Sequence, residues 1–115
     1  MSPYEEAKKS LEALSGSDPG RSADLAAYHT QLSLIIKRYY SRVNQVNLLN
    51  KTTGDFLLLL KEEQFDPATI SSLAGALRIG DAVKFTKFVP PLEESRSCRE
   101  IVGNVIEFIH RSKTK

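Results

Sequence analysis

The side chains able to carry chemistry are few and scattered. Cys98 is the single cysteine, and His29 and His110 are the two histidines. Helical metal sites use pairs such as His-x-x-x-His or Glu-x-x-His; neither histidine is read as part of one, and both are expected at the surface or rim of a helix. Cys98 falls on an apolar helix face, where a thiol packs as a small hydrophobe. A catalytic thiol needs an exposed, electropositive helix start instead, so a small hydrolase using Cys98 is a third-rank reading. The carboxylate pairs Glu5-Glu6, Glu62-Glu63 and Glu93-Glu94 are adjacent and point to different sides of a helix, unlike an acid/base dyad. Gly16/Gly20 and Gly75/Gly80 lack the spacing, lysine and preceding strand of a phosphate loop. No catalytic, cofactor-binding or metal-ligating residue is assigned, and the chain is expected not to be an enzyme.

Two basic-aromatic segments are the better candidates. Lys37-Arg38-Tyr39-Tyr40-Ser41-Arg42 interleaves bases with tyrosines, and Asp81-Ala82-Val83-Lys84-Phe85-Thr86-Lys87-Phe88 does so with phenylalanines. On a helical wheel Tyr39 and Tyr40 join the apolar arc, whereas Lys37, Arg38 and Arg42 fall outside it and are expected to be solvated. Lys37, Arg38, Arg42, Lys84 and Lys87 are therefore the candidate partner contacts. Nucleic acid is not the expected partner, because 16 basic residues stand against 14 acidic ones, whereas nucleic-acid domains are usually more lopsided.

The elements positioning these residues all read as helices. Ser2-Pro3 is a helix start, followed by Tyr4, Ala7, Leu11 and Leu14 on one stripe. The segment 15–20 reads as a flexible linker. Residues 22–43 form a long amphipathic helix with Leu25, Tyr28, Leu32, Ile35, Ile36, Tyr39, Tyr40 and Val43 in one arc. Asn44-Gln45-Val46-Asn47 ends it, since side-chain amides compete for backbone partners. Thr52 or Thr53 caps a short third helix; Asp66-Pro67 starts a fourth.

Two outcomes are open at Gly80. If the fourth helix continues, Asp81 and Lys84 share the face of Ile70, Leu73 and Leu77 and must pair or reach water. Otherwise Gly80 breaks the helix and shifts the phase. Pro90-Pro91 is a firm stop, and residues 93–111 form a second long amphipathic helix with Cys98, Ile101, Val102, Val105, Ile106, Phe108 and Ile109 on its apolar side.

The expected fold is all-α: one compact domain spanning 1–115, of about five helices, dominated by the long helices at 22–43 and 93–111. Its parts are a first helix at 1–15, the linker, and a helical core at 21–115. A length of 115 residues suits one domain. Hydrophobic residues at 41% and charged residues at 26% are globular in proportion. The longest apolar run, Phe56 to Leu60, is far short of a membrane span of about 20 residues, and the acidic N-terminus is unlike a signal peptide. The chain as written is expected to be soluble.

Four stretches give the chain a family likeness. Tyr4-Glu5-Glu6-Ala7-Lys8-Lys9-Ser10-Leu11 is similar to the first cytoplasmic helix of the BatD-like (Bacteroides aerotolerance, or oxygen tolerance) membrane proteins. Tyr28-His29-Thr30-Gln31-Leu32 with Ile35-Ile36-Lys37-Arg38-Tyr39-Tyr40 looks like that family's tyrosine-rich helix. Asn50-Lys51-Thr52-Thr53-Gly54-Asp55-Phe56-Leu57 resembles its threonine-capped helix start. Asp81-Ala82-Val83-Lys84-Phe85-Thr86-Lys87-Phe88-Val89-Pro90 matches its pattern of aspartate, lysine-phenylalanine, then an aromatic before proline. Gly54 and Gly80 depart from it, standing where the family prefers an acidic residue and a small helix former.

The resemblance implies the cytoplasmic tail of a single-pass membrane protein, at the cytoplasmic face of the inner membrane, with its span upstream of Met1. It also implies company: a MoxR-type AAA+ ATPase and von Willebrand factor A-domain proteins, in a setting of envelope stress tolerance. A non-enzymatic protein-interaction domain is the leading expectation. A small soluble helical DNA-binding regulator is the alternative.

Overall fold

Capping chemistry sets most of the helix starts. The computed structural model describes residues 1–16 and 22–113. In α1 (Pro3–Ser15), Ser2 Oγ accepts from the Glu5 N–H at 3.1 Å while the Glu5 carboxylate reaches back to the Ser2 N–H, a reciprocal capping box. In α3 (Thr53–Glu62) the cap is Thr52, whose hydroxyl accepts from the Asp55 N–H. In α4 (Pro67–Thr86) Asp66 caps and Pro67 occupies the first turn. The remaining helices are α2 (Ser22–Asn44) and α5 (Leu92–Lys113). The fold is all-α, with no strand among the described residues. Of the expected linker, 17–20 lies outside the described residues.

The end of α2 follows the amide competition expected of it. Asn44 Nδ2 donates to the Tyr40 carbonyl, Gln45 turns into the left-handed region at φ 56°, and Ser41 Oγ accepts from the Leu48 N–H. Asn44 thus closes the helix end, and Ser41 pins the loop that leads to α3.

Tyr39, Ile36, Phe56, Leu60, Leu73, Val102, Ile106 and Ile109 form a single buried core drawn from α2 to α5. A Cα radius of gyration of 13.5 Å matches the roughly 13 Å of a folded domain this long. α2 and α5 run parallel, with Arg99 beside the Tyr28 hydroxyl near one end and Lys113 bonded to Asn44 at the other. α1 lies antiparallel to α5: Tyr4 and Lys8 both bond Glu107, and Leu11 faces Gly103.

α4 does not break at Gly80. It continues to Thr86, and Gly80 is buried against His29 of α2. The expected alternative of a phase shift is therefore corrected: the helix runs on through Gly80, which packs against His29 with room for one carbon and no more. A second correction concerns α2 itself. His29, Ser33, Lys37 and Ser41, spaced at i, i+4, i+8 and i+12, are all buried. They form a polar stripe down one side of α2, near Gly80, Asp81 and Lys84 of α4. Asp81 and Lys84, which share the inner face of α4, are reconciled by pairing with each other at 3.6 Å while partly exposed.

Candidate functional site

The five candidate contact residues divide into two groups. On α2, Lys37 is 8% exposed, and its Nζ donates to the Lys51 carbonyl at 2.8 Å. The expectation that it is solvated is corrected: its stem lies along the polar stripe and its charge is spent on holding the α2–α3 loop. Burial, with the Lys84 charge beside it, pulls the Lys37 ammonium below its ordinary value. Arg42 is exposed but bridges to Glu6 of α1 at 2.7 Å. Arg38 is exposed as well, so both arginines keep the solvated positions expected of them and Lys37 is the one withdrawn.

Lys84 and Lys87 remain together at the C-terminal end of α4. The Lys84 ammonium stands near Asp81 and 5.7 Å from the centre of the Phe85 ring. Lys87 is the C-cap, in the left-handed region at φ 59°, and has no ion-pair partner among the described residues. Its conformation turns the chain sharply toward Pro90-Pro91 and α5. Phe85 is 79% exposed, and Phe88, Val89 and Leu92 are exposed as well. This α4–α5 corner concentrates large apolar side chains in water over eight positions. Clustered apolar side chains of this kind, unlike single scattered ones, call for an explanation on a soluble protein.

His29 is corrected from rim to core. It is 2% exposed, and its Nε2 shares a 2.9 Å hydrogen bond with Ser95 Oγ, which is fully buried. A histidine beside a serine is a general-base geometry, but these two atoms lie inside the bundle, out of reach of a substrate. The pair ties α2 to α5 immediately beneath the corner. Desolvation, reinforced by the Lys84 charge, holds the imidazole below its ordinary value and so keeps it neutral at pH 7.

His110 is partly exposed, its ring stacked on Tyr4 with centroids 3.7 Å apart. Glu107 and His110 stand at Glu-x-x-His spacing, which corrects the reading that neither histidine belongs to such a pair. The carboxylate is nevertheless committed, accepting from the Tyr4 hydroxyl at 2.6 Å and from Lys8 at 3.0 Å. Among the described residues no group of three or more histidine, cysteine or acidic side chains is placed to hold a metal ion.

Cys98 is buried in the core, where desolvation pushes its thiol up to about 11. That environment gives no nucleophilic thiolate at neutral pH. Phe108, expected inside, is partly exposed in a groove of about 320 Å³ between α4 and α5 that Thr69, Ser72 and Asn104 also line. A second groove, about 400 Å³, runs between α1 and α5 past Lys8, Arg99 and Glu107. Both are open troughs lined by a mixture of polar and apolar side chains.

What sequence reasoning missed is the burial of His29 and Lys37, and the signal for it was the i, i+4 run His29, Ser33, Lys37, Ser41. No helix among the described residues is long and apolar enough to cross a membrane. Compared with protein-family models, with curated proteins and with solved structures, the chain matches none.

Proposed function

We propose that this chain is a non-enzymatic protein-docking module whose contact surface is the α4–α5 corner. The observation that carries the reading is Phe85, 79% exposed on a well-formed helix beside Lys84. Burying a large apolar side chain is worth roughly 1.5–3 kcal/mol, and aromatic anchors dominate protein interfaces. A partner that covers Phe85 and Phe88 gains that energy without refolding the bundle. The resemblance to BatD-like tails supplies the candidates: a MoxR-type AAA+ ATPase and von Willebrand factor A-domain proteins, met at the cytoplasmic face of the inner membrane.

A titration of the purified chain against each candidate tests the reading. Saturable binding is expected, weakened about tenfold or more by Phe85→Ser. No association at low salt with both partners folded overturns it. A DNA-binding regulator needs a basic recognition helix; α4 offers Arg78 and a Lys84 already beside Asp81.

A further inference from the structure

We propose that the α4–α5 corner takes an apolar protein segment flanked by carboxylates, with Phe85 and Phe88 as its anchors and Lys84 and Lys87 facing the acidic flank. This rests on the docking reading and adds the chemistry of the partner.

Each of the two phenylalanines at the corner follows a lysine, in Lys84-Phe85 and Lys87-Phe88. A partner segment that reaches either ring thus passes a fixed positive charge. Lys87 has no counter-charge among the described residues, and Lys84 has the 3.6 Å contact to a half-exposed Asp81. Lys87 is not consumed by the fold, in contrast to Lys37 and Arg42 on α2, and Lys84 keeps 22% of its side chain exposed beside Asp81. Both also stand at the negative end of the α4 dipole, which favours them there.

Across the turn, Glu93 and Glu94 occupy the positive end of the α5 dipole. The corner is therefore polar in a directional sense, basic on the α4 side and acidic on the α5 side. A docked segment directs its carboxylates to α4 and keeps them off α5. Charge of this kind sets orientation and partner choice more than raw affinity. The turn that shapes the corner is fixed by Lys87 at φ 59° and by two prolines, with Pro90 buried. The anchors are held in place before the partner arrives, which lowers the ordering cost of binding.

Two amphipathic helical peptides with the same leucine stripe, one flanked by glutamates and the other by lysines, serve as probes of the full chain labelled for amide NMR. The acidic peptide is expected to bind about tenfold more tightly at low salt, shift the amides of residues 84–92, and lose its advantage as salt rises. Lys87→Glu, an exposed position, is expected to erase that preference while the melting curve stays in place. Phe85→Ser is expected to weaken both peptides. Equal binding of the two peptides, shifts mapping elsewhere, or no binding of either overturns the acidic-partner assignment. So does binding to phosphatidylglycerol vesicles through Phe85 without any peptide preference, which would make the corner a membrane contact. The titration against the ATPase and A-domain candidates is read separately, so a docking module with a non-acidic partner is told apart from no docking module at all.

Discussion

Gly80 of α4 faces the imidazole of His29 so closely that a methyl group built on it would sit 3.4 Å from the histidine Cβ and 3.5 Å from Nδ1. That spacing is ordinary contact for one carbon and leaves no room for more. Gly80→Ala is expected to be neutral or to stabilise by up to about 1 kcal/mol, because glycine is a poor residue in a helix interior. Gly80→Leu drives a side chain into His29 and is expected to cost about 1–3 kcal/mol or more. Urea unfolding of the pair checks this; a leucine tolerated as well as the alanine would show that the two helices do not meet there.

Stability should depend on pH through His29. Its imidazole lies below the ordinary value of 6.5 in the folded chain because of burial and the Lys84 charge. The unfolded chain therefore binds more protons in the window beneath 6.5, and stability rises with pH across that window. The contribution is complete above 6.5 and is lost as pH falls through the depressed folded value. His29→Gln keeps a hydrogen-bonding group for Ser95 and removes the titration. The unfolding free energy of the variant is expected to change less than that of the parent between pH 7 and pH 5. Equal slopes would assign the acid sensitivity to other groups.

How much of this could be read in the sequence depends on which forces a periodicity records. Ser2-Pro3, Thr52 and Asp66-Pro67 announce helix starts because caps are local chemistry between neighbours in the chain. The apolar arcs of α2 and α5 were legible for a similar reason: burial repeats at the helical period. The polar stripe from His29 to Ser41 was not, because a wheel assigns polar residues to water by default. Their burial depends on what another element brings, namely Gly80, Ser95 and the carbonyl of Lys51. Phe108 errs in the opposite sense. Its phase was apolar, but α4 stops short of covering it and leaves a groove. The candidates Lys84 and Lys87 come from a segment that interleaves bases and phenylalanines; that Lys37 is withdrawn from the same list needs the α2–α3 loop in place.

Removing the Tyr4 hydroxyl should change how Glu107 titrates. The hydrogen bond from Tyr4, with that from Lys8, holds the Glu107 carboxyl below its ordinary value, and Glu107 in turn raises Tyr4. In Tyr4→Phe the carboxyl is expected to move back up toward the ordinary carboxylate range, read by side-chain carbonyl NMR. Faster amide exchange in α1 should accompany it, since Tyr4 is one of the ties to α5. An unmoved Glu107 would place its stabilisation on Lys8 alone.

Cys98 should be a reporter of unfolding. With its thiol raised to about 11 and buried, reaction with a disulfide reagent at pH 8 is expected to be at least about 100-fold slower in the folded chain than in urea. Rapid labelling of the native protein would revive a catalytic reading of this residue.

Leu73 and Phe85 are both large, apolar and on α4, and they should respond in opposite ways to truncation. Leu73 is fully buried in the core, so Leu73→Ala is expected to cost about 2–5 kcal/mol. Phe85→Ser should stay within about 0.5 kcal/mol of the parent, as exposed positions do. Thermal melts of the two variants separate a side chain that holds the scaffold from one that stands outside it.

The antiparallel seam between α1 and α5 has a practical consequence for geometry. Tyr4 meets Glu107 and His110, so the described ends of the chain lie side by side, whereas Leu92 opens the far end of α5. From residue 92 to residue 107 a helix advances roughly 22 Å. Anything joined at either end, whether a dye, a surface linker or a further domain, leaves from the pole opposite Phe85 and Phe88. The described ends and the α4–α5 corner therefore occupy opposite poles of the bundle, so a label at one leaves the other uncovered.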